Sequence, residues 1–160
     1  MPQVKLCFEV KRGVVEINRE QAEGAELATL NQIFSLCEAG RYDEAANVVR
    51  PGLSFEWSWS NQDGDADEMF VDPQDLHFET LPADAVVRIG CVDGRLVVSV
   101  SVFFTVEAHH SVAADELEEW LSENSCYAAG FVSGNWAWWD GWSGTDGDNV
   151  RVVSFDGKML

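Results

Sequence analysis

The sequence predicts an α+β domain, in which an antiparallel β-sheet built from hairpins carries about three helices, mainly on one face. Three observations support this class. Segments in which apolar and polar residues alternate outnumber segments with helical periodicity. Short turn signals join neighbouring alternating segments, as hairpins require. Strands and helices do not alternate in order, which argues against a parallel sheet. At 160 residues, the chain is expected to form a single domain over residues 1–160.

The first fifty residues predict a hairpin and then two helices. KLCFEV and VVEIN alternate on either side of KRG, so Gly13 is the expected turn. Asn18 is expected to cap the first helix, which Gly40 would end, and a second helix would span residues 42–50. The apolar positions of the first helix recur at three- and four-residue steps: Leu27, Leu30, Ile33, Phe34 and Cys37.

The stretch LCEAGRYDEAANVVR, which spans both helices, resembles the turn between the paired helices of a tetratricopeptide repeat. It does not recur, and a repeat array needs several copies to bury its faces. A single helical hairpin is therefore expected, and no function follows from the resemblance.

The middle of the chain predicts one strand, a long acidic connection and a hairpin. LSFEWSWS alternates, so Leu53, Phe55, Trp57 and Trp59 should share one buried face. Residues 61–82 are then expected to form an acidic connection with a short strand over 68–71.

The strongest hairpin signal lies in VVRIGCVDGRLVVSVSVFFTV, where Asp93-Gly94 suits a two-residue type I′ turn. That turn places Arg88 opposite Ser99 on the polar face. It also pairs apolar residues on the other face: Cys91 with Leu96, Ile89 with Val98, and Val87 with Val100.

The last third predicts a helix over residues 113–123 whose Leu117, Trp120 and Leu121 point inward. CYAAGFV is expected to be a strand or a buried turn, and residues 149–155 a final strand.

The charge of the chain is unusual, with 28 acidic and 10 basic residues and a net charge of −18. Residues 51–87 hold nine acids without a Lys or Arg, and residues 96–150 hold nine more, again without a Lys or Arg. Nucleic acids and anionic membranes bind positive surfaces, so the composition excludes both as direct ligands. It favours a basic protein as the partner.

The third helix offers a regular row of carboxylates. Glu116, Glu119 and Glu123 would lie about 4.5–6 Å apart along its axis. Phosphates of a DNA strand follow at about 3.4 Å, which is of the same order. Trp139 or Trp142, in the tryptophan-rich segment NWAWWDGW, would supply the apolar anchor that such an interface needs.

These features lead to the hypothesis of a non-enzymatic, cytoplasmic protein that blocks a basic, nucleic-acid-binding partner by mimicking DNA or RNA. In charge and size, though not in any motif, the chain resembles the anti-restriction and anti-CRISPR proteins of phages and mobile elements. An immunity protein against a basic nuclease toxin is the sibling hypothesis. The candidate partner-binding residues are Asp115, Glu116, Glu118, Glu119, Glu123, Asp63, Asp65, Asp67, Trp139 and Trp142.

Three alternatives stay open from the sequence. The tryptophans could form a glycan or small-ligand module. The acids could be a solvated surface that serves solubility or growth in salt. Pairs of carboxylates could serve a hydrolase, although the chain carries no nucleophile motif or phosphate-binding loop.

No cofactor or metal is expected. DGDADE places Asp63, Asp65 and Asp67 in the spacing of a calcium loop, but Glu68 stands where glycine is required. His109-His110 would point to opposite sides of an extended chain. The four cysteines form no CxxC pair and the chain starts without a secretion signal, which predicts reduced thiols in the cytoplasm.

Overall fold

The computed structural model describes residues 3–59, 70–72, 74–109, 112–123, 128–140, 145–146 and 150–159; the side chains at 11–13, 122, 128–129, 140 and 145–146 lie outside that description. The helices are α1 (Gly24–Glu38), α2 (Tyr42–Val49) and α3 (Ala114–Glu123). The strands are β1 (Gln3–Ile17), β2 (Leu53–Trp59), β3 (Gln74–Phe78), β4 (Val86–Val92), β5 (Arg95–Glu107), β6 (Ala128–Gly134), β7 (Trp139–Asp140), β8 (Thr145–Asp146), β9 (Val150–Phe155) and β10 (Lys158–Met159).

The strands form two antiparallel sheets. The large sheet has the order β10-β9-β1-β5-β4, with β7 paired to the end of β1. The small sheet has the order β3-β2-β6-β8. This arrangement confirms the predicted α+β class with antiparallel, hairpin-rich sheets. The division of the strands into two sheets was not predicted.

The large sheet is organised by β5, the strand that pairs with both β1 and β4. Its alternation places one residue in two on the core side. The buried residues of β5 are Leu96, Val98, Val100, Val102, Phe104 and Val106. The other face of the strand carries Ser99, Ser101 and Phe103, which are half-buried.

Aromatic rings join the two sheets. The ring of Phe8 in β1 lies 5.9 Å from that of Phe55 and 6.2 Å from that of Trp57, both in β2. The ring of Trp57 also lies 4.8 Å from that of Phe104. Gly130 of β6 makes room for this contact, because a Cβ at that position would lie 1.9 Å from Cε1 of Phe8.

The helices close the sides of this two-sheet core. Cys37 of α1 hydrogen-bonds with Cys91 on the core-facing side of β4, and Arg50, just after α2, donates to the carbonyl oxygens of Pro82 and Ala85 ahead of β4. On the other side, α3 packs near β9, with the ring of Trp120 4.8 Å from that of Trp59.

The hairpin between β4 and β5 has the predicted turn and register. Asp93 and Gly94 have φ values of 51° and 75°, as a type I′ turn requires. Arg88 pairs with Ser99, and the three predicted apolar pairs form as expected.

The predicted opening hairpin is wrong. β1 runs through Gly13 as one strand, and KRG is absorbed by a bulge between Val10 and Gly13. The reason is the length of β5, whose 13 residues pair with β1 on both sides of the bulge. A local turn signal is overridden by this long-range pairing.

The first helix starts later than predicted, at Gly24. Asn18 instead forms a turn, in which its side-chain Oδ1 accepts a hydrogen bond of 3.2 Å from the N–H of Glu20. Leu27, expected on the buried face, is exposed, whereas Leu30, Ile33 and Cys37 are buried as expected.

The acidic connection contains β3, a strand that was not predicted from the sequence. This strand forms the edge of the small sheet. Of the short strand expected over 68–71, Val71 forms an isolated bridge with Ala108, while residues 68–69 lie outside the described residues. The strand β10 was also missed; it follows a tight turn at Asp156-Gly157, where both φ values are positive.

We expect Gly130→Ala to lower the free energy of unfolding by about 1–3 kcal/mol, because the new methyl group would overlap the Phe8 ring. Gly90→Ala is the matched control, since no heavy atom lies within 4 Å of a Cβ built there. Urea unfolding of both variants checks this. Equal midpoints would show that the two sheets do not meet at Phe8.

Candidate functional site

The helix α3 holds the acidic row that the sequence predicted. Leu117, Trp120 and Leu121 are buried and attach the helix to the core. The ring of Trp120 contacts those of Trp59 and Phe70, at 4.8 and 5.7 Å. Because Trp120 packs inward against these two rings, the opposite face of α3 is exposed to solvent.

All five predicted acids of α3 are exposed: Asp115, Glu116, Glu118, Glu119 and Glu123. The helix contains no Lys or Arg, and none of the five forms an ion pair with another described residue. The structure therefore places these carboxylates together on one rigid, solvent-facing element.

Glu116 also has a structural task. Its Oε2 accepts a hydrogen bond of 3.2 Å from the N–H of Ala113, the residue that precedes the helix. This is the glutamate half of a capping box, which satisfies an amide that would otherwise lack a partner. The remaining acids of α3 are better positions for testing charge alone.

The two acidic stretches of the sequence meet beside α3. The N–H of His109 donates to the carbonyl oxygen of Phe70 at 3.1 Å, and Val71 bridges Ala108 in an antiparallel sense. Asp72 and Glu107, which are next to Val71 and Ala108 on the same side of this bridge, are both exposed acids. Acids from distant parts of the chain thus converge where β5 leads into α3.

The outer face of the small sheet forms a second acidic surface that the sequence did not reveal. Glu56 of β2 lies between Phe131 of β6 and His77 of β3 in the register of the sheet. Its Oε1 lies 3.0 Å from Nδ1 of His77. A groove of about 280 Å³ runs beside these residues and Asp75, and Phe131 is 41% exposed there.

The tryptophans of NWAWW form a packed cluster. Trp138 is fully buried, and its ring centre lies 4.9 Å from that of Trp136 and 6.0 Å from that of Trp139. Gly52 and Gly134 give the cluster its space, because a Cβ on either would lie within 3 Å of an indole ring. The N–H of Asn18 donates to the carbonyl oxygen of Trp138 at 2.9 Å and ties the segment to β1.

Trp139, a candidate interface anchor, is half-buried in this cluster, and its indole Nε1 is enclosed. This geometry favours a packing role. The other candidate anchor, Trp142, lies outside the described residues. Phe131, which was not predicted from the sequence, is an exposed aromatic residue on an acidic surface. Its exposure depends on the register of β6 with β2, which sets it beside Glu56 and which the sequence does not reveal.

The predicted acids Asp63, Asp65 and Asp67 also lie outside the described residues, as does His110. Among the residues that are described, no three His, Cys, Asp or Glu side chains come close enough to hold a metal ion. Within the same residues, no helix has both the length and the apolar character needed to cross a membrane.

Three of the four cysteines are described, and all three are free thiols. Burial raises the pKa of the Cys7 thiol, and the nearby Arg151 partly offsets this. Burial, followed by the hydrogen bond with Cys37, raises the pKa of Cys91 to about 12. The thiols of Cys7 and Cys91 therefore stay protonated near neutral pH, which does not suit nucleophiles.

Comparisons with family models, with curated proteins and with solved structures found no match.

We expect Trp139→Ala to lower the free energy of unfolding by about 2 kcal/mol or more, because it empties part of a packed cluster. Phe131→Ala should cost about 1 kcal/mol or less, since Phe131 is 41% exposed on the outer face of the small sheet. Chemical unfolding of both variants measures the difference. If Trp139→Ala keeps full stability, its ring is an interface residue after all.

We expect alkylation of Cys91 by iodoacetamide to be roughly a hundredfold slower or more in the native protein than in urea. The thiolate is the reactive form. The pKa of the Cys91 thiol is about 12 in the fold, compared with 9.0 for an ordinary thiol. The native rate should rise with pH between about 7 and 9. Mass spectrometry of the tryptic peptide 89–95 follows this residue alone, and equal rates in both states would contradict the buried position.

Proposed function

We propose that this protein is a non-enzymatic inhibitor, acting in the cytoplasm, that binds a basic protein through its acidic surface. In its most concrete form, it mimics DNA or RNA and occupies the nucleic-acid site of its target. The observation that carries the proposal is the convergence of the two acidic stretches beside α3, through Val71 and Ala108.

The repulsion between these converging acids supports the proposal. Acids placed close together repel one another and destabilise the compact state, so their accumulation at one place has an energetic cost. Asp72 and Glu107 lie next to the same bridge, and α3 adds five more exposed acids a few residues later. Binding to a basic surface would relieve this repulsion, and the same field would accelerate encounter.

The rigidity of α3 supports mimicry of a regular polyanion. Trp120 fixes the helix on Trp59 and Phe70, so its carboxylates keep their spacing without a partner. A surface that is ordered in advance loses less entropy on binding. Carboxylates spaced at helical intervals can then face Arg and Lys side chains that normally hold phosphates.

The groove on the small sheet supports an apolar anchor for the same partner. Phe131 is exposed beside Glu56 and Asp75, a combination that suits an arginine side chain. The guanidinium group can stack on the ring while it hydrogen-bonds to a carboxylate. An interface built from charge alone would lack such a site.

An immunity protein against a basic nuclease toxin would use the same chemistry. A mimic must leave its target when DNA or RNA is added in excess, because both occupy one site. An immunity protein that binds beside the active site would keep its target under that challenge. Competition with nucleic acid therefore separates the two versions of the proposal.

The target is found by capture from a lysate of the source cells, elution with a salt gradient and identification by mass spectrometry. Release of one basic, nucleic-acid-binding or nuclease protein at moderate salt supports the proposal. If no basic protein is enriched, the acids serve solubility and the proposal fails.

We expect the triple variant Glu118→Gln, Glu119→Gln and Glu123→Gln to associate with this target about tenfold more slowly at low salt. Its rate should also depend less on salt, while its circular dichroism stays native. Glu116 is retained because it caps α3.

The control variant changes three other exposed acids: Glu20→Gln, Glu23→Gln and Glu38→Gln. Both variants carry a net charge reduced by the same amount, so only the position of the charge differs. Surface plasmon resonance gives the association rates. Equal slowing in both variants would mean that total charge, and not the surface at α3, attracts the partner.

A further inference from the structure

The large sheet has a second face, opposite the core, that carries four basic residues. Lys5, Arg88, Arg95 and Arg151 lie on four different strands of this sheet and point away from the core. Four of the ten basic residues of the chain thus share one surface. The same face also carries three acids, Glu9, Glu16 and Glu107, of which Glu9 lies beside Arg151 and Glu16 beside Arg95.

A groove of about 370 Å³ runs across this face. Its volume is within the range of small-ligand sites. The chemistry-bearing residues that line it are Arg88, Arg151, Glu9, Ser99, Ser101 and Phe103. Ser99, Ser101 and Phe103 alternate along β5, so they stand in one row on the floor of the groove.

The two arginines stand on different sides of this row. Arg151 is held in place, with its Nε 3.8 Å from Oε1 of Glu9 and a hydrogen bond to the Cys7 thiol. Arg88 lies across from Ser99 in the register of β4 and β5. It is exposed and forms no ion pair with any residue that the structure describes.

We propose that this groove binds a small carboxylate whose body is flat and apolar. Arg88 has the planar, two-pronged donor geometry that matches a carboxylate. The hydroxyls of Ser99 and Ser101 add donors on the floor. Phe103 and Val86 provide the apolar walls against which a flat ring can lie.

The charges in the groove favour a monoanion over a phosphate dianion. Two arginines and one glutamate leave a single positive charge among the lining residues. Glu9 would repel a second negative charge on the ligand. Lys5, whose Nζ lies 5.3 Å from the centre of the Phe103 ring, adds positive potential at one end.

The test is a titration of ¹⁵N-labelled protein with sodium benzoate at constant ionic strength, followed by amide chemical shifts. We expect shifts at Arg88, Ser99 and Ser101 that saturate with a Kd of about 1 mM. Benzamide has the same shape without the charge and should bind at least about fivefold more weakly. Non-saturating shifts, or equal binding of both compounds, would overturn the proposal.

Matched variants locate the site. Arg88→Gln should weaken benzoate binding at least about fivefold, whereas Arg95→Gln should leave it within about twofold. Arg95 lies 3.7 Å from Glu16 and does not line this groove. Wild-type affinity in Arg88→Gln, or an equal loss in both variants, would overturn the assignment. The outcome is independent of the acidic surface at α3, which neither variant touches.

Discussion

The contact between Phe8 and the bare backbone of Gly130 is the constraint on which the rest of the structure depends. It sets how closely the two sheets approach, because any side chain on Gly130 would displace the ring. At that distance Trp57 reaches Phe104 across the core. Further along β2, Trp59 is presented to Trp120, which fixes α3 and its carboxylates. The acidic surface at α3 thus rests on a chain of aromatic contacts that starts at a glycine.

The predictions were correct where the sequence signal is local. They were wrong where the pairing of distant strands determines the structure. The hairpin of β4 and β5 combines alternation with an Asp-Gly turn, so its register could be predicted residue by residue. The turn expected at Gly13 was overridden because β5 is long enough to pair with β1 on both sides of it. The strand β3 was missed because it is a short edge strand of five residues inside an acidic connection, with only Leu76 and Phe78 as apolar positions.

The candidate site was predictable in part, for the same reason. Helical periodicity alone places Trp120 inward and the acids of α3 outward, and the structure agrees. The bridge from Val71 to Ala108 joins segments more than thirty residues apart and leaves no trace in composition. Phe131 is exposed only because β6 pairs with β2 in the register that sets it beside Glu56. Trp139 is a large aromatic residue of the kind that anchors interfaces, but its ring packs against those of Trp136 and Trp138, as in a core.

The distribution of charge around the large sheet affects how the molecule is oriented before it binds a partner. The helix α3, with five exposed acids, packs on the core side of that sheet through Trp120 and Trp59, whereas the other face carries four cations beside the acids Glu9, Glu16 and Glu107. Because acids outnumber cations at α3 and not on that face, the molecule has an electric dipole in addition to its net charge. In the field of a basic surface it experiences a torque that turns α3 forward, so that collisions become productive more often than random orientation allows. The face that carries the cations would then turn away from the partner.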